Sequence, residues 1–159
     1  MIPRTGIGFD THRLVADRRL VLGGVEIPHA LGLLGHSDAD VLAHAIMDAL
    51  LGAAADGDIG QHFSDKDPRW KDADSMMLLA CVAERIRTLG FSIGNVDSVV
   101  MAEAPKLAPH ILAMRARLAE AMGISEADVS VKATTVEGLG AIGRREGISV
   151  MATALIFKP

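Results

Sequence analysis

The order in which helix-punctuated and β-prone stretches alternate along this chain limits its fold more than any other feature. Thr5–His12 is short, interrupted by glycine and tolerant of β structure, so it reads as a strand. Leu20–Leu22 and Val25–Ile27 flank Gly23-Gly24, a pair that accepts positive φ and suits the tight turn of a hairpin. Ser37 or Asp38 is the expected cap of a helix over about Ala39–Ala54, because a short side-chain oxygen accepts from free first-turn amides. Asp74-Ser75 offers the same start to a second helix, running to Thr88 with Gly90 as its stop. Asn95–Ala102 reads as a strand, Pro109 suits the first turn of a third helix, and Gly123 ends that helix near Met122. Val129–Thr134 and Ile148–Phe157, rich in Val, Ile and Thr, complete the set as strands. A hairpin followed by helices interleaved with strands predicts an α+β fold: a mixed β-sheet with helices packed on one face, plus the β-hairpin. No internal repeat or Pro/Ser-rich linker divides the chain, so residues 1–159 are expected to form a single domain.

A chain of 159 residues buries roughly 70% of its extended surface, enough to fold without a disulfide or structural metal. Its single cysteine excludes a disulfide-stapled module and suits a reducing cytoplasm. The longest apolar stretches are too short to cross a bilayer, and the start lacks the charged and apolar regions of a secretion signal, so no membrane partner is expected. With 16 Lys+Arg against 20 Asp+Glu and no tyrosine among few aromatics, the chain lacks the basic stripe and stacking rings of a nucleic-acid binder. If the ligand is anionic, cations must be supplied locally. Cys81 lies amid Leu78, Leu79 and Val82 and is expected to be a buried thiol, and the eight methionines are expected to fill the core.

Asp10 and His12 are two apart on the first strand and therefore point to one face. On the next helix Asp40, His44 and Asp48 recur every four residues, with Leu42, Ile46, Ala49 and Ala53 opposite. If His44 meets Asp10 and His12, one carboxylate and two imidazoles surround a cation and leave a fourth position open, the pattern of a catalytic zinc. The spacing equally fits a solvated helix face. Asp48 is either an acceptor that orients the His44 ring or simply exposed. His36 is either a loop residue or an imidazole beside a helix N-terminus that binds anions. Asp56, Asp58, Asp65 and Asp67 occupy a loop where solvated turn carboxylates are ordinary, although Asp58 beside Gly57 suits the hydroxyls of a sugar. Lys132, Thr134, Thr135 and Arg144 are phosphate-binding residue types and Glu137 suits a hard cation, although a Thr-rich stretch is equally an ordinary strand end.

Taken in order, these pieces resemble the 2-C-methyl-D-erythritol 2,4-cyclodiphosphate synthase family. The resemblance runs nearly end to end through Gly8-Phe9-Asp10-Thr11-His12, His36-Ser37-Asp38-Ala39-Asp40 with His44, Asp48-Ala49-Leu50-Leu51-Gly52-Ala53, Gly57-Asp58-Ile59-Gly60, Gly94-Asn95-Val96-Asp97, Ala104-Pro105-Lys106 and Lys132-Ala133-Thr134-Thr135 through Glu137. It implies a homotrimer with active sites between subunits, and intramolecular phosphoryl transfer on a CDP-linked substrate. It places Zn2+ on Asp10, His12 and His44, and Mg2+ or Mn2+ between Glu137 and the diphosphate. It assigns the erythritol phosphate to His36, Ser37, Phe63, Ser64, Asp65, Lys66 and Asp67, and the ribose to Asp58, Ile59 and Gly60. The cytosine pocket falls at Ala102, Glu103, Ala104, Pro105, Lys106, Leu107 and Ala108. Thr134 and Thr135 attend the diphosphate, and His36 and Thr135 correspond to the residues that stabilise the transition state. Thr11, Val136, Ala141 and Arg144 join the substrate contacts. The same resemblance implies a central cavity able to hold an isoprenoid diphosphate. Three positions depart from the family's pattern: Ala39 for Gly or Asn, Ser64 for Pro, and Ala141 for an aromatic. A zinc phosphodiesterase that activates water, and a trimeric sensor of isoprenoid diphosphates, are the competing readings.

Overall fold

The computed structural model describes residues 1–159. Strands β1 (Pro3–Val15), β2 (Leu20–Leu22), β3 (Val25–Ile27) and β4 (Gly32–Leu33) precede helices α1 (Val41–Ala54), α2 (Ile59–His62) and α3 (Ser75–Thr88). Then follow β5 (Ser92–Met101), α4 (Ile111–Met122), β6 (Val129–Thr134), α5 (Gly140–Gly143) and β7 (Gly147–Phe157). The main sheet runs β4-β1-β7-β5-β6, and β2 pairs with β3 as a separate hairpin. Only the β5–β6 pair is parallel, and α4 supplies the crossover such a pair requires. This is the expected α+β architecture with a mixed sheet. No helix is long and apolar enough to cross a membrane.

Helix α1 lies on β1 and β7, α4 on β6, and α3 packs against both helices. The approach of α1 to β1 is set by two glycines. A Cβ on Gly8 would stand 1.9 Å from the Ala45 carbonyl oxygen, and one on Gly6 would stand 2.0 Å from that of Ala49. Ala45, Ala49 and Ala53 present the smallest side chains of α1 along this seam, so backbone meets backbone and the next inward residues of β1, Asp10 and His12, stand beside His44. The other sheet face is uncovered, and Ile7, Phe9 and Met151 are exposed there although Phe9 and Met151 are register partners on β1 and β7.

Several expectations are corrected. The cap of α1 is Asp40 rather than Ser37 or Asp38. Ala39 lies outside the helix in the left-handed region, at φ 58°, and turns the chain so that the Asp40 carboxylate meets the first-turn amide of Ala43. The same carboxylate accepts from the Gly23 and Gly24 amides, so Asp40 pins the hairpin to α1 and leaves the polar stripe read from the sequence. Burial pushes its carboxyl up to about 6, against the three amides that favour the anion. Cys81 is exposed, because α3 buries the face carrying Leu78, Leu79 and Val82 and turns position 81 outward. Met47, Met76, Met114 and Met122 are in the core, whereas Met1, Met77 and Met151 are exposed. β4, α2 and α5 were not foreseen, being too short to carry a periodic signal.

Candidate active site

Asp10, His12 and His44 converge where α1 crosses β1. His12 Nε2 lies 2.9 Å and His44 Nδ1 3.1 Å from Asp10 Oδ2, and the two ring nitrogens are 3.3 Å apart. The far side of each group is engaged elsewhere. His12 Nδ1 donates to the Leu34 carbonyl at 2.7 Å, so in the neutral ring Nε2 presents its lone pair inward. His44 Nε2 faces the hydroxyls of Ser37 and Ser75, each at 3.1 Å. Three ligand-type atoms within 4.8 Å of one another, from two imidazoles and a carboxylate with outer nitrogens held by acceptors, fit a divalent cation of zinc type. The electrostatics agree. Burial acts to raise the Asp10 carboxyl, but hydrogen bonding and charge from His12 and His44 outweigh it and hold the group well below the usual carboxylate range. For His12, burial acts to lower the pKa, while Asp10 and the Leu34 carbonyl carry it above the ordinary imidazole value.

The cluster opens into a cleft of about 410 Å3 lined by His12, Leu34, Gly35, His36, Ser37, His44, Met47, Ile59, Gly60, Phe63, Asp65, Trp70 and Leu78. His36 Nε2 lies 3.1 Å from the Asp67 carbonyl, which ties the wall carrying His36 to the loop carrying Phe63 and Asp65. Phe63 and Trp70 meet edge to face at 5.1 Å and form an apolar wall. Asp58 caps α2 through the Gln61 amide, and Asp67 is paired with Arg69. Ser64 accepts from the Lys66 amide. Asp48 does not reach His44. Its carboxylate accepts from the Ile59 amide at 2.8 Å and so anchors α2 at the cleft edge, and its burial raises the carboxyl pKa.

A second depression of about 270 Å3 is lined by Ala102, Glu103, Pro105, Lys106, Leu107, Ala108, Ala133, Thr134 and Thr135, with no residue shared with the first; Thr11, Ala104, Val136, Glu137, Ala141 and Arg144 do not line it. Glu103 Oε1 accepts from the Val136 amide at 2.9 Å and the Gly138 amide at 3.3 Å. That carboxylate holds the turn in which Glu137 adopts φ 55°. Thr135 Oγ1 accepts from the Glu137 amide at 3.4 Å, and the Glu137 carboxylate is exposed. Thr11 and Thr134 fall on one row of the sheet, joined through Ser149 and Met101. Three strand spacings separate them, about 14 Å at 4.8 Å each. Thr11 turns away from Asp10 and His12 to bond Ser149 Oγ at 2.8 Å, as strand alternation requires. Lys132 is engaged by Asp97, and Arg144 pairs with Glu146 at 3.0 Å beside the exposed Ala141.

Residues 3–157 match the YgbB family. The chain belongs to that family. A relative from a Nostoc species, named 2-C-methyl-D-erythritol 2,4-cyclodiphosphate synthase, is 60% identical over 96% of this chain and 93% of its own length. Among solved structures, the bifunctional IspDF of Campylobacter jejuni superposes with a TM-score of 0.94 at 44% identity, covering 98% of this chain and 42% of that one. The CDP complex of IspF from Plasmodium falciparum superposes with a TM-score of 0.86 at 33% identity, over 98% of this chain and 96% of that one. For a YgbB member, the departure at Ala39 now has a physical reading. A left-handed residue with a Cβ costs on the order of 1 kcal/mol relative to Gly, and this chain carries that strain immediately before the cap of the helix bearing His44. The cleft also contains residues that motif reasoning missed. Leu34, Met47, Trp70 and Leu78 carry no chemical signature and become legible only when the loop from Phe63 to Trp70 folds over α1 and α3.

Proposed function

We propose that this chain is a cytoplasmic phosphorus–oxygen lyase that converts 4-diphosphocytidyl-2-C-methyl-D-erythritol 2-phosphate to 2-C-methyl-D-erythritol 2,4-cyclodiphosphate and CMP, in non-mevalonate isoprenoid precursor synthesis. The observation that carries this reading is the convergence of Asp10, His12 and His44 beside a half-open cleft, in a chain whose relatives are named for that synthesis. An oxygen of the substrate's own 2-phosphate attacks the β-phosphorus. The bond from that phosphorus to the oxygen bridging it to the α-phosphate breaks, and CMP leaves with the electron pair. No protein nucleophile is required, and alignment of tethered groups supplies roughly 7 to 11 kcal/mol in favourable cases.

Asp10, His12 and His44 would hold Zn2+, and Glu137 would hold Mg2+ or Mn2+. When bound, these ions polarise phosphate oxygens and offset their charge, which an acidic chain otherwise cannot do. His36 and Ser37 face the cleft beside the cluster and would bind and orient the 2-phosphate, while Phe63, Trp70 and Leu78 exclude water from it. Asp58, Ile59 and Gly60 would take the ribose. Thr134 and Thr135, with the 102–108 segment and the neighbouring Val136, would orient the CDP arm, Thr135 offering its hydroxyl to charge developing on the diphosphate.

The separation of the two depressions within one chain supports a shared site, in which the rim of one subunit completes the cleft of the next. The exposed Ile7, Phe9 and Met151 on the uncovered sheet face support self-association as a homotrimer. The same face would line a central cavity for an isoprenoid diphosphate. Incubating the protein with the CDP-linked substrate tests the reading. CMP and the cyclic diphosphate should appear without incorporation of solvent oxygen, and a chelator should stop the reaction. A ring-opened product carrying solvent oxygen would instead identify a phosphodiesterase, and isoprenoid diphosphate binding without CMP release a sensor.

A further inference from the structure

Nothing in the reaction uses Ser75, yet it is fully buried at the first turn of α3 and its hydroxyl lies 3.1 Å from His44 Nε2. The same hydroxyl donates to Asp38 Oδ1 in a short contact, and Asp38 Oδ2 accepts from the Ser75 amide at 2.9 Å. We propose that Asp38 and Ser75 are positioning residues for the metal centre, forming a carboxylate–hydroxyl–imidazole chain that fixes the His44 ring with its proton on Nε2 and its Nδ1 lone pair toward Asp10 and His12. The inference rests on the reading of those three residues as metal ligands.

A hydroxyl has one hydrogen, and that of Ser75 is committed to Asp38, so its lone pair is what meets the ring. Nε2 must therefore donate, which in the neutral, metal-binding form of the ring leaves Nδ1 unprotonated. The Asp38 carboxylate, one hydrogen bond away, makes Ser75 Oγ a better acceptor for the His44 ring. The α3 amide that completes the grip on Asp38 belongs to a helix start, where donors lack helical partners and favour an anion.

The competing acceptor, Ser37 Oγ, is also 3.1 Å from Nε2. It accepts from the Ala39 amide at 3.2 Å and has no carboxylate behind it. Its hydrogen remains free for a ligand in the cleft, where Ser37 is a lining residue and Ser75 is not. The two serines divide the work: Ser75 orients the metal ligand and Ser37 meets substrate. Asp40 and Asp48, one turn to either side of His44, are engaged elsewhere, Asp40 by the Gly23, Gly24 and Ala43 amides and Asp48 by the Ile59 amide.

The test is Co2+ binding to the metal-stripped full chain, followed by the absorption of the bound ion in competition with a chelator, without substrate. Ser75→Ala should weaken binding about 10- to 100-fold, Asp38→Asn should weaken it by less, and Ser37→Ala should change it by less than about threefold. A folded Ser75→Ala that binds as the parent does, or a larger loss in Ser37→Ala, overturns the proposal. A parent chain that binds no Co2+ overturns the metal reading along with it. A second measurement does not depend on the variants folding. In nitrogen-15 spectra of the Zn2+-loaded parent, His44 should show a slowly exchanging Nε2 proton close to the Ser75 β-protons. A proton on Nδ1, or a rapidly exchanging Nε2 proton, overturns the assignment.

Discussion

The cleft around Asp10, His12 and His44 and the rim from Ala102 to Ala108 with Thr134 to Glu137 are built in opposite ways. In the cleft each chemical group is fixed from behind: glycines of β1 draw α1 in, and Leu34, Ser37 and Ser75 occupy the outer ring nitrogens. At the rim Lys106, Thr134, Thr135 and Glu137 are exposed, and one carboxylate, Glu103, holds the turn. The cleft is preorganised by its own chain. The rim offers contacts whose opposite wall the chain does not supply. Under the proposed function, rigid geometry falls where charge would be matched to phosphate, and the open surface where a neighbouring subunit would meet the chain.

The contrast can be attacked first at its strongest point. Asp10→Asn or His44→Ala should lower turnover by at least about a thousandfold, since metal stabilisation of phosphoryl charge is worth several kcal/mol. The circular-dichroism spectrum and CDP binding at the rim should survive. Mixed oligomers give a sharper test: His44→Ala and Glu137→Ala chains, each inactive alone, should recover about a quarter of parental activity when reassembled at equal ratio, because a quarter of random interfaces join an intact cleft to an intact rim. No recovery would show that cleft and rim serve the same subunit. Glu103→Ala should free the Val136–Gly138 turn and reduce kcat/KM about 10- to 100-fold, the cost of a charge-assisted bond, with metal affinity unchanged.

Smaller effects come from protons and strain. In the metal-free protein His12 titrates above its ordinary 6.5, so its contribution to stability is complete below that value and is lost as pH rises through the raised one. Asp10 titrates below 3.8, so its contribution is present above that value and is lost as pH falls through the lowered one. The two contributions overlap between 3.8 and 6.5. Bound metal must displace the His12 proton, so the rise in melting temperature on adding Zn2+ should grow from about pH 5 to about pH 8. Calorimetry at several pH values checks this. Ala39→Gly should stabilise the chain by about 0.5 to 1 kcal/mol by relieving the left-handed backbone, measured by urea unfolding, with little change at the rim.

Much of this was legible in the residues. Strand alternation put Asp10 and His12 on one face, and Gly23-Gly24 and Gly123 marked turns that formed where expected. The polar stripe Asp40, His44 and Asp48 misled because helical spacing gives a direction but not a neighbour. Asp40 faces the hairpin, His44 the Asp10 carboxylate and Asp48 the start of α2. Cys81 misled for the same reason, an apolar neighbourhood in sequence being spread around the helix in space.

Sequence by itself determined which of the longer segments become strands and helices and which residue types carry ligand chemistry, because periodicity, caps and side-chain type are local properties. Tertiary structure decided which nitrogen of each histidine faces inward, which serine stands behind His44, and that cleft and rim lie apart. Those depend on the approach of α1 to β1 and of α3 to α1, set by contacts between residues far apart in the chain that no local pattern encodes.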